Sequence, residues 1–392
     1  MRAVILGGGI GGLAAAIALR RVGVESLVLE QAPAIREIGA GLSLWSNAIF
    51  ALRELSPDGS IARKVIEAGS EFDTFASQTA SGRPIANSCF ANLASEAGAP
   101  CVCIHRAELQ RILLAELDPA NIRTGTRCAD FDGSTAILDT GERIAADFLV
   151  GADGINSVIR RKLHGDQPPR YEGATCWRGI CQKSALLPAG TSLLALGPGT
   201  QFGACPCGDG QVYWFLAKNA PHGTVQTKAD ALEACSGWAA PVLDFILATP
   251  QDAIVQNDIL DRNPLKRWGS GRVTLLGDAA HASTPNLGQG ACQAIEDAVT
   301  LADSVRGIQN SARNIQNSAS TQDVEQALRT YERLRIPRTT MIVNDSWRAG
   351  QLLQTEQPLI AAFRDWFSAS TIGQRIQTQM FRKLLLHRVP KL

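Results

Sequence analysis

The chain of 392 residues is too long for one ordinary core, and with 45% of them apolar it can bury a large interior shared between two or three domains. Its 38 Lys and Arg against 37 Asp and Glu leave a formal charge of +1, which argues against a basic stripe for nucleic acid and an acidic surface for cationic partners. Ten cysteines without a Cys-x-x-Cys and only five scattered histidines do not make a zinc ligand set, so free, mostly buried thiols and no metal are expected.

Residues 3–30 read as strand, glycine turn, helix, strand: Ala3 to Leu6 is apolar and β-prone, Leu13 to Val22 is a helical apolar run, and Ser26 to Glu30 returns to strand. The glycines, and Arg20 and Arg21 behind the helix, break what a secretory signal keeps continuous. No run reaches the roughly 18 apolar residues of a spanning helix, so a soluble, cytoplasmic monomer or homodimer is expected. Gly7-x-Gly9-x-x-Gly12 lies directly after the first strand and opens the helix, where bare N–H groups and the helix N-terminus can meet a pyrophosphate. Glu30 closes the second strand, where a carboxylate accepts from ribose hydroxyls.

Residues 71–100 are rich in Ser, Ala, Gly and Asn and are expected to lend strands to a sheet formed mainly further on. Runs ending in Gly and Asp recur at 148–153 and 273–278, so one cofactor domain is assembled from distant segments. Between them, about 169–268, short alternating runs such as Gln211 to Leu216 predict an antiparallel sheet. The expectation is an α/β fold: a doubly wound, Rossmann-type domain (1–70, 101–168 and 269–340), an inserted antiparallel substrate sheet (71–100 and 169–268) and C-terminal helices (341–392). Ile308 to Ala312 is nearly duplicated at Ile315 to Ala319, which reads as a tolerated surface insertion between helices. In 359–385, Leu359, Phe363, Phe367, Ile372, Ile376, Met380 and Leu384 recur near helical period. One or two amphipathic helices docked on the cofactor domain are expected, with a membrane-surface position as the alternative.

Two further motifs separate flavin from nicotinamide. Asp153-Gly154-x-x-Ser157-x-x-Arg160 and Gly277-Asp278-Ala-Ala-His281-x-x-x-Pro285-x-x-Gly288-Gln289-Gly290 each end a strand in a turn, and the second enters a helix near Ala291. Asp278 is placed to bond a ribityl hydroxyl, and N–H groups from Gly288 to Cys292 can face an electron-rich ring edge.

With these three ordered motifs the chain resembles the group A flavoprotein monooxygenases, the family of 4-hydroxybenzoate hydroxylase, over nearly all of residues 1–340. The resemblance implies that Gly7, Gly9, Gly12 and Glu30 bind the ADP half of FAD and that Arg106 reaches its phosphates. It places Asp153 and Gly154 at both FAD and NAD(P)H, and gives Asp278, Gly288, Gln289, Gly290, Ala291 and Cys292 to the ribityl chain and ring. Gln31, Ser43 and Cys128 stand where relatives touch FAD, mostly through backbone atoms. It implies that NADH or NADPH reduces the flavin, that O₂ adds to form a C4a-hydroperoxide, and that the distal oxygen passes to a small aromatic substrate. Many relatives carry Gly or Asn where this chain has Ala291, a departure near the ring.

On the substrate side, Tyr213 is the expected catalytic residue, a phenol able to bond a substrate hydroxyl, with filling of a sheet face as the alternative. Thr175-Cys-Trp-Arg-Gly179 is similar to a segment of carotenoid epoxidases and alkyl-quinolone hydroxylases. Alternation sends Trp177 and Arg178 to opposite faces, and Arg178 is taken as the structural one. Gln201 stands where some relatives carry the Arg that anchors anionic substrates, which disfavours a small carboxylate or urate-like substrate. His281 is expected to pack its turn rather than act as a base. Epoxidation of an alkene or polyene is the alternative reaction, and a non-oxygenating flavin reductase or sensor the alternative class.

Overall fold

The computed structural model describes residues 1–35, 40–315 and 320–392, with backbone only over 309–315. Most of the 308–319 near-duplication therefore lies outside the residues whose side chains are described.

Strand Arg2–Leu6 is the centre of a five-stranded sheet in the order Val273–Leu275, Phe148–Gly151, Arg2–Leu6, Glu25–Leu29, Ile122–Arg123. Every pair in it is parallel, so the three motif-bearing strands run side by side and release their turns at one edge. Helix Ile10–Arg21 is buried on almost every side from Ile10 to Leu19 because the sheet lies beneath it and helix Gly290–Ile315 packs across it. Small residues allow that approach: a Cβ on Gly11 would stand 2.8 Å from Leu276 and 3.2 Å from the Ala294 methyl.

The second sheet has seven strands, in the order Val255–Asp261, Arg170–Cys181, Val212–Asn219, Thr200–Pro206, Thr191–Gly197, Thr74–Thr79, Pro84–Cys89. The two strands from 74–89 thus belong to it. It is the expected antiparallel sheet, with one parallel pair where Thr191–Gly197 runs beside Thr74–Thr79. Those two strands are separated in sequence by the whole middle of the chain, and only a long crossover permits parallel pairing. One face is closed by Trp177, Phe202, Trp214 and Leu216 against Val242, Phe245 and Ile246. Its polar edges are satisfied: Trp177 Nε1 donates to Thr227 O at 3.0 Å and Trp214 Nε1 to Thr249 Oγ1 at 2.8 Å. The opposite face carries Arg178, Ile180, Tyr213 and Phe215, of which Ile180 and Tyr213 pack against the main core.

Helix Thr321–Leu353 runs without interruption through the expected boundary at 340/341, Pro337 included. What fixes it is a buried charge network with helix Gly290–Ile315. Arg335 bonds Glu296 through Nη1 and Asp297 through Nε, both at 2.6 Å, and Gln293 Oε1 through Nη2 at 2.6 Å. Arg338 adds two bonds to Glu296, at 2.7 and 2.8 Å. Burial alone would push both carboxyls up, but Arg335 and Arg338 hold Glu296, and His281 and Arg335 hold Asp297, below the usual carboxylate range.

Helices Pro358–Ala369 and Thr371–Leu385 follow. Phe381 stacks on Trp45 at 5.3 Å and meets Phe90 at 4.5 Å, while Leu384 and Leu385 are buried beside it. Leu359, Phe363, Ile372 and Ile376, which the periodicity assigned to the docked face, instead point to solvent. Only the last turns of the second helix reach the cofactor unit; the first packs on the edge strand Pro84–Cys89 and leaves its broad apolar side open.

Removing one member of a fully buried ion network strands the others, at a cost of about 3–5 kcal/mol. Arg335→Met is therefore expected to lower urea-unfolding stability by that amount, and an unchanged midpoint would show that the network contributes nothing.

Candidate active site

At the edge where the parallel strands end, the first glycine turn is sterically obligatory. Gly7 has φ +107°, and a Cβ there would meet Ala152 O at 2.3 Å. A Cβ on Gly12 would stand 1.9 Å from Gly7 O. Gly9, the extended residue that caps helix Ile10–Arg21, has no atom within 4 Å of its Cβ position: its side of the turn is open. Glu30 steadies the turn from beneath, taking Gly8 N–H at 2.7 Å and Ala32 N–H at 2.8 Å, and Gln110 Nε2 bonds Gly8 O at 3.0 Å. Gln110 belongs to helix Arg106–Leu114, whose first residue, Arg106, is exposed. Gln31 is exposed just past the second strand.

Asp153 follows strand Phe148–Gly151 and accepts from Val158 N–H through Oδ2 at 2.8 Å. Its Oδ1 is shielded from solvent without a partner, and burial raises its carboxyl. Gly154, with φ +76°, turns the chain beside it. Cys128 opens the neighbouring strand Cys128–Asp132; burial pushes its thiol up, and the nearby Asp153 charge adds to this.

The third motif lies above the same edge. Gly277 N–H is held by Asp297 Oδ2 at 3.0 Å, and His281 Nε2 shares that oxygen at 2.6 Å, so His281 is a buried prop of its turn, as expected. Asp278 is exposed at the start of helix Asp278–His281. Gly288 has φ +60°, and a Cβ on it would lie 2.9 Å from Trp45 Nε1. Gly290 starts the 26-residue helix with open space at its Cβ position. Ala291 is half-buried, and Cys292, its thiol pushed up to about 12 by burial, is anchored against Ser43 O at 3.7 Å. Asn47 Nδ2 ties Gln289 Oε1 to Glu296, at 3.1 and 2.6 Å. Trp45 Nε1 and Gln289 Nε2, like Asp153 Oδ1, are buried without a partner among the described residues. Open glycine edges, two helix N-termini and these unpaired polar atoms along one sheet edge fit a long ligand with phosphates at one end and a polar ring at the other.

Across from this edge stands the second face of the seven-stranded sheet. Tyr213 presses on strand Gly41–Leu44 so tightly that a Cβ on Gly41 would lie 2.3 Å from the Tyr213 Cβ. Register pairs Tyr213 with Ile180 and Cys205, and Phe215 with Arg178 and Gly203, so these side chains share one face. Burial raises the Tyr213 phenol, opposed by the Arg178 guanidinium, which donates to its oxygen; the phenol stays protonated and keeps its O–H as a potential donor. Trp177 is buried in the core of its sheet, and Arg178 lies on the opposite face beside Tyr213. Gln201 does face this side, and its Nε2 bonds Asn286 Oδ1 at 3.1 Å.

Sequence reasoning missed the residues that hold the third motif: Asn47, Glu296, Asp297, Arg335 and Arg338. A signal existed, since Glu296-Asp297 interrupts an apolar helical run and Arg335 falls on the buried stripe of its helix. It also missed Glu172. That carboxyl accepts from Asn286 Nδ2 at 2.7 Å, its Oε2 is buried without a partner, and burial lifts its pKa from 4.5 to about 7.

The family described as FAD binding domain matches residues 1–346. The aurachin C monooxygenase/isomerase of Stigmatella aurantiaca is 37% identical over 388 residues, covering 97% of each chain. The chloroplastic zeaxanthin epoxidase of Solanum lycopersicum is 33% identical over 377 residues; these are 87% of this chain and 53% of that longer protein. Among solved structures, HpxO of Klebsiella pneumoniae, complexed with FAD and uric acid, superposes with a TM-score of 0.87 at 29% identity, over 98% of this chain and 97% of that one. The chain belongs to the group A flavin monooxygenases. It is an FAD-dependent monooxygenase, which leaves the non-oxygenating alternative without support.

Two substitutions in the first turn separate folding from binding. Gly12→Ala is expected to destabilise the apoprotein by several kcal/mol, as overpacking against backbone does. Gly9→Ala is expected to leave the apoprotein melting temperature within a few degrees but to weaken FAD binding at least tenfold, measured by flavin fluorescence. Glu172, raised when folded, contributes stability that is complete below pH 4.5 and lost as pH rises through about 7. The stability difference between wild type and Glu172→Gln should therefore shift by on the order of 3 kcal/mol between about pH 5 and about pH 8; a pH-independent difference would refute the assignment.

Proposed function

We propose that the enzyme hydroxylates a largely apolar aromatic or heteroaromatic small molecule bearing a ring hydroxyl or carbonyl oxygen, with NADH or NADPH as reductant. The observation that carries this reading is the Arg178–Tyr213 pair on an otherwise mainly apolar sheet face, with Tyr213 against Gly41. FAD, when bound, supplies the acceptance of reducing equivalents and the activation of O₂.

The chain's own residues bind, orient and exclude water. Gly7, Gly9, Gly12 and Glu30, with Arg106 and Gln31, would hold the ADP half; Asp153, Gly154, Cys128 and Asp278 the middle; Ser43, Gly288, Gln289, Gly290, Ala291 and Cys292 the ring. Tyr213 donates to the substrate oxygen, and Arg178 beside it stabilises the negative charge that gathers there as the ring becomes electron-rich. A guanidinium on this face also supplies the cation that Gln201 does not, reached from a different strand. Phe215, Leu194 and Leu196 keep the remainder dry.

Epoxidation of an alkene is the second reading, favoured by that apolar wall and by the similarity to zeaxanthin epoxidase. A panel of hydroxylated and oxo-heteroaromatic compounds, assayed for stimulated NAD(P)H oxidation under ¹⁸O₂, separates the two. Hydroxylation adds one ¹⁸O and keeps every C=C bond, whereas epoxidation consumes one. Tyr213→Phe is expected to leave flavin reduction intact and to cut product formed by roughly 100-fold, the usual scale of a lost proton-handling group. Unchanged coupling would remove Tyr213 from catalysis.

A further inference from the structure

We propose that the helical pair Pro358–Ala369 and Thr371–Leu385 is a docking surface for an anionic phospholipid membrane. The pair exposes more large apolar area than any other part of the described surface. Leu359, Phe363 and Trp366 recur along one side of the first helix and are 85, 60 and 65% exposed; Ile372 and Ile376 recur on one side of the second, at 65 and 56%. The aromatic rings already touch one another, Phe363 lying 5.7 Å from Trp366 and 6.0 Å from Phe367, so they form a continuous patch rather than scattered residues.

Charge selects the occupant. Helical spacing puts Arg375 and Lys383, both exposed, on the same side as Ile372 and Ile376. The one carboxylate in 358–385, Asp365, is turned inward and held by Arg364 at 2.8 Å. An apolar stripe with an aromatic end and a basic margin matches the interfacial layer of an anionic bilayer, where Trp and Phe settle at headgroup depth and Lys and Arg meet phosphate. Pairing with a second copy about a two-fold axis would instead set Arg375 and Lys383 against their own like charges. No helix among the described residues is long and apolar enough to cross a membrane, so the contact is one of lying on the surface.

The placement has a consequence for the enzyme. Both helices pack on edge strand Pro84–Cys89, where Ser88 Oγ donates to Gln377 Oε1 at 2.8 Å. From that edge Ile85 and Ala86 join Leu194 and Leu196, with Phe215 against them, on the face that carries Arg178 and Tyr213. A buried apolar strip therefore runs from the edge strand on which the helices pack to the substrate face.

Flotation of the FAD-loaded protein with phosphatidylcholine vesicles, with and without phosphatidylglycerol, tests this. Expected is co-flotation with the anionic vesicles that falls at least tenfold in high salt and in Phe363→Ser/Trp366→Ser, a variant of exposed side chains that should keep its flavin and melting temperature. Arg375→Glu/Lys383→Glu should abolish the preference for phosphatidylglycerol. Failure to float with either vesicle at low salt would overturn the proposal. So would flotation unaffected by Phe363→Ser/Trp366→Ser, or a wild-type dimer in light scattering that this variant converts to monomer, which would give the face to self-association.

Discussion

The buried contact between Arg335 and the adjacent carboxylates of Glu296 and Asp297 is what the remainder of the site depends on. Asp297 divides its two oxygens between Arg335 on one side and the Gly277 N–H and His281 ring on the other. Glu296 reaches Asn47, which in turn holds Gln289. One pair of neighbouring residues on one helix thus fixes both the turn after strand Val273–Leu275 and the glycines opening the helix. An apolar substitute of equal volume would pack as well, but it would not orient two backbone turns at once, and orientation is what a cradle made of N–H groups requires.

The same economy recurs on the substrate side. The seven-stranded sheet spends one face on a tryptophan-rich core and frees the other for recognition. Trp177 and Arg178, neighbours in sequence, therefore have unrelated tasks. Glu172 and Asn286 join the two halves, since Asn286 is shared between Glu172 on a sheet strand and Gln201 on another, and lies two residues before Gly288. Burial lifts the Glu172 carboxyl at this junction to about 7.

The exposed helical pair stands apart from this logic. Elsewhere the exposed large apolar side chains, such as Val225, Leu247 and Leu334, stand at scattered positions; there they recur along two consecutive helices with basic neighbours. A stripe of this kind is costly to leave in water, and the structure spends a whole helix, Pro358–Ala369, on presenting it.

The sequence by itself determined the cofactor. Gly7 and Gly12 are legible because a Cβ there would stand 2.3 and 1.9 Å from backbone oxygen, Gly9 because it lies on the open side of the same turn, and all three because the strand, turn and helix that need them are contiguous. Asp153 and Asp278 are legible for the same reason: each closes a strand in a local element. What only the tertiary structure decided joins segments that are distant in the chain. The parallel pairing of Thr191–Gly197 with Thr74–Thr79, the meeting of Tyr213 with Gly41, and the burial of Arg335 on Glu296 and Asp297 leave no local period to read. Helical periodicity marked Leu359 through Leu384 as one apolar side, yet a period records which residues share a face and not what covers it. For Leu384 that was the core; Leu359, Phe363, Ile372 and Ile376 stay exposed among the described residues.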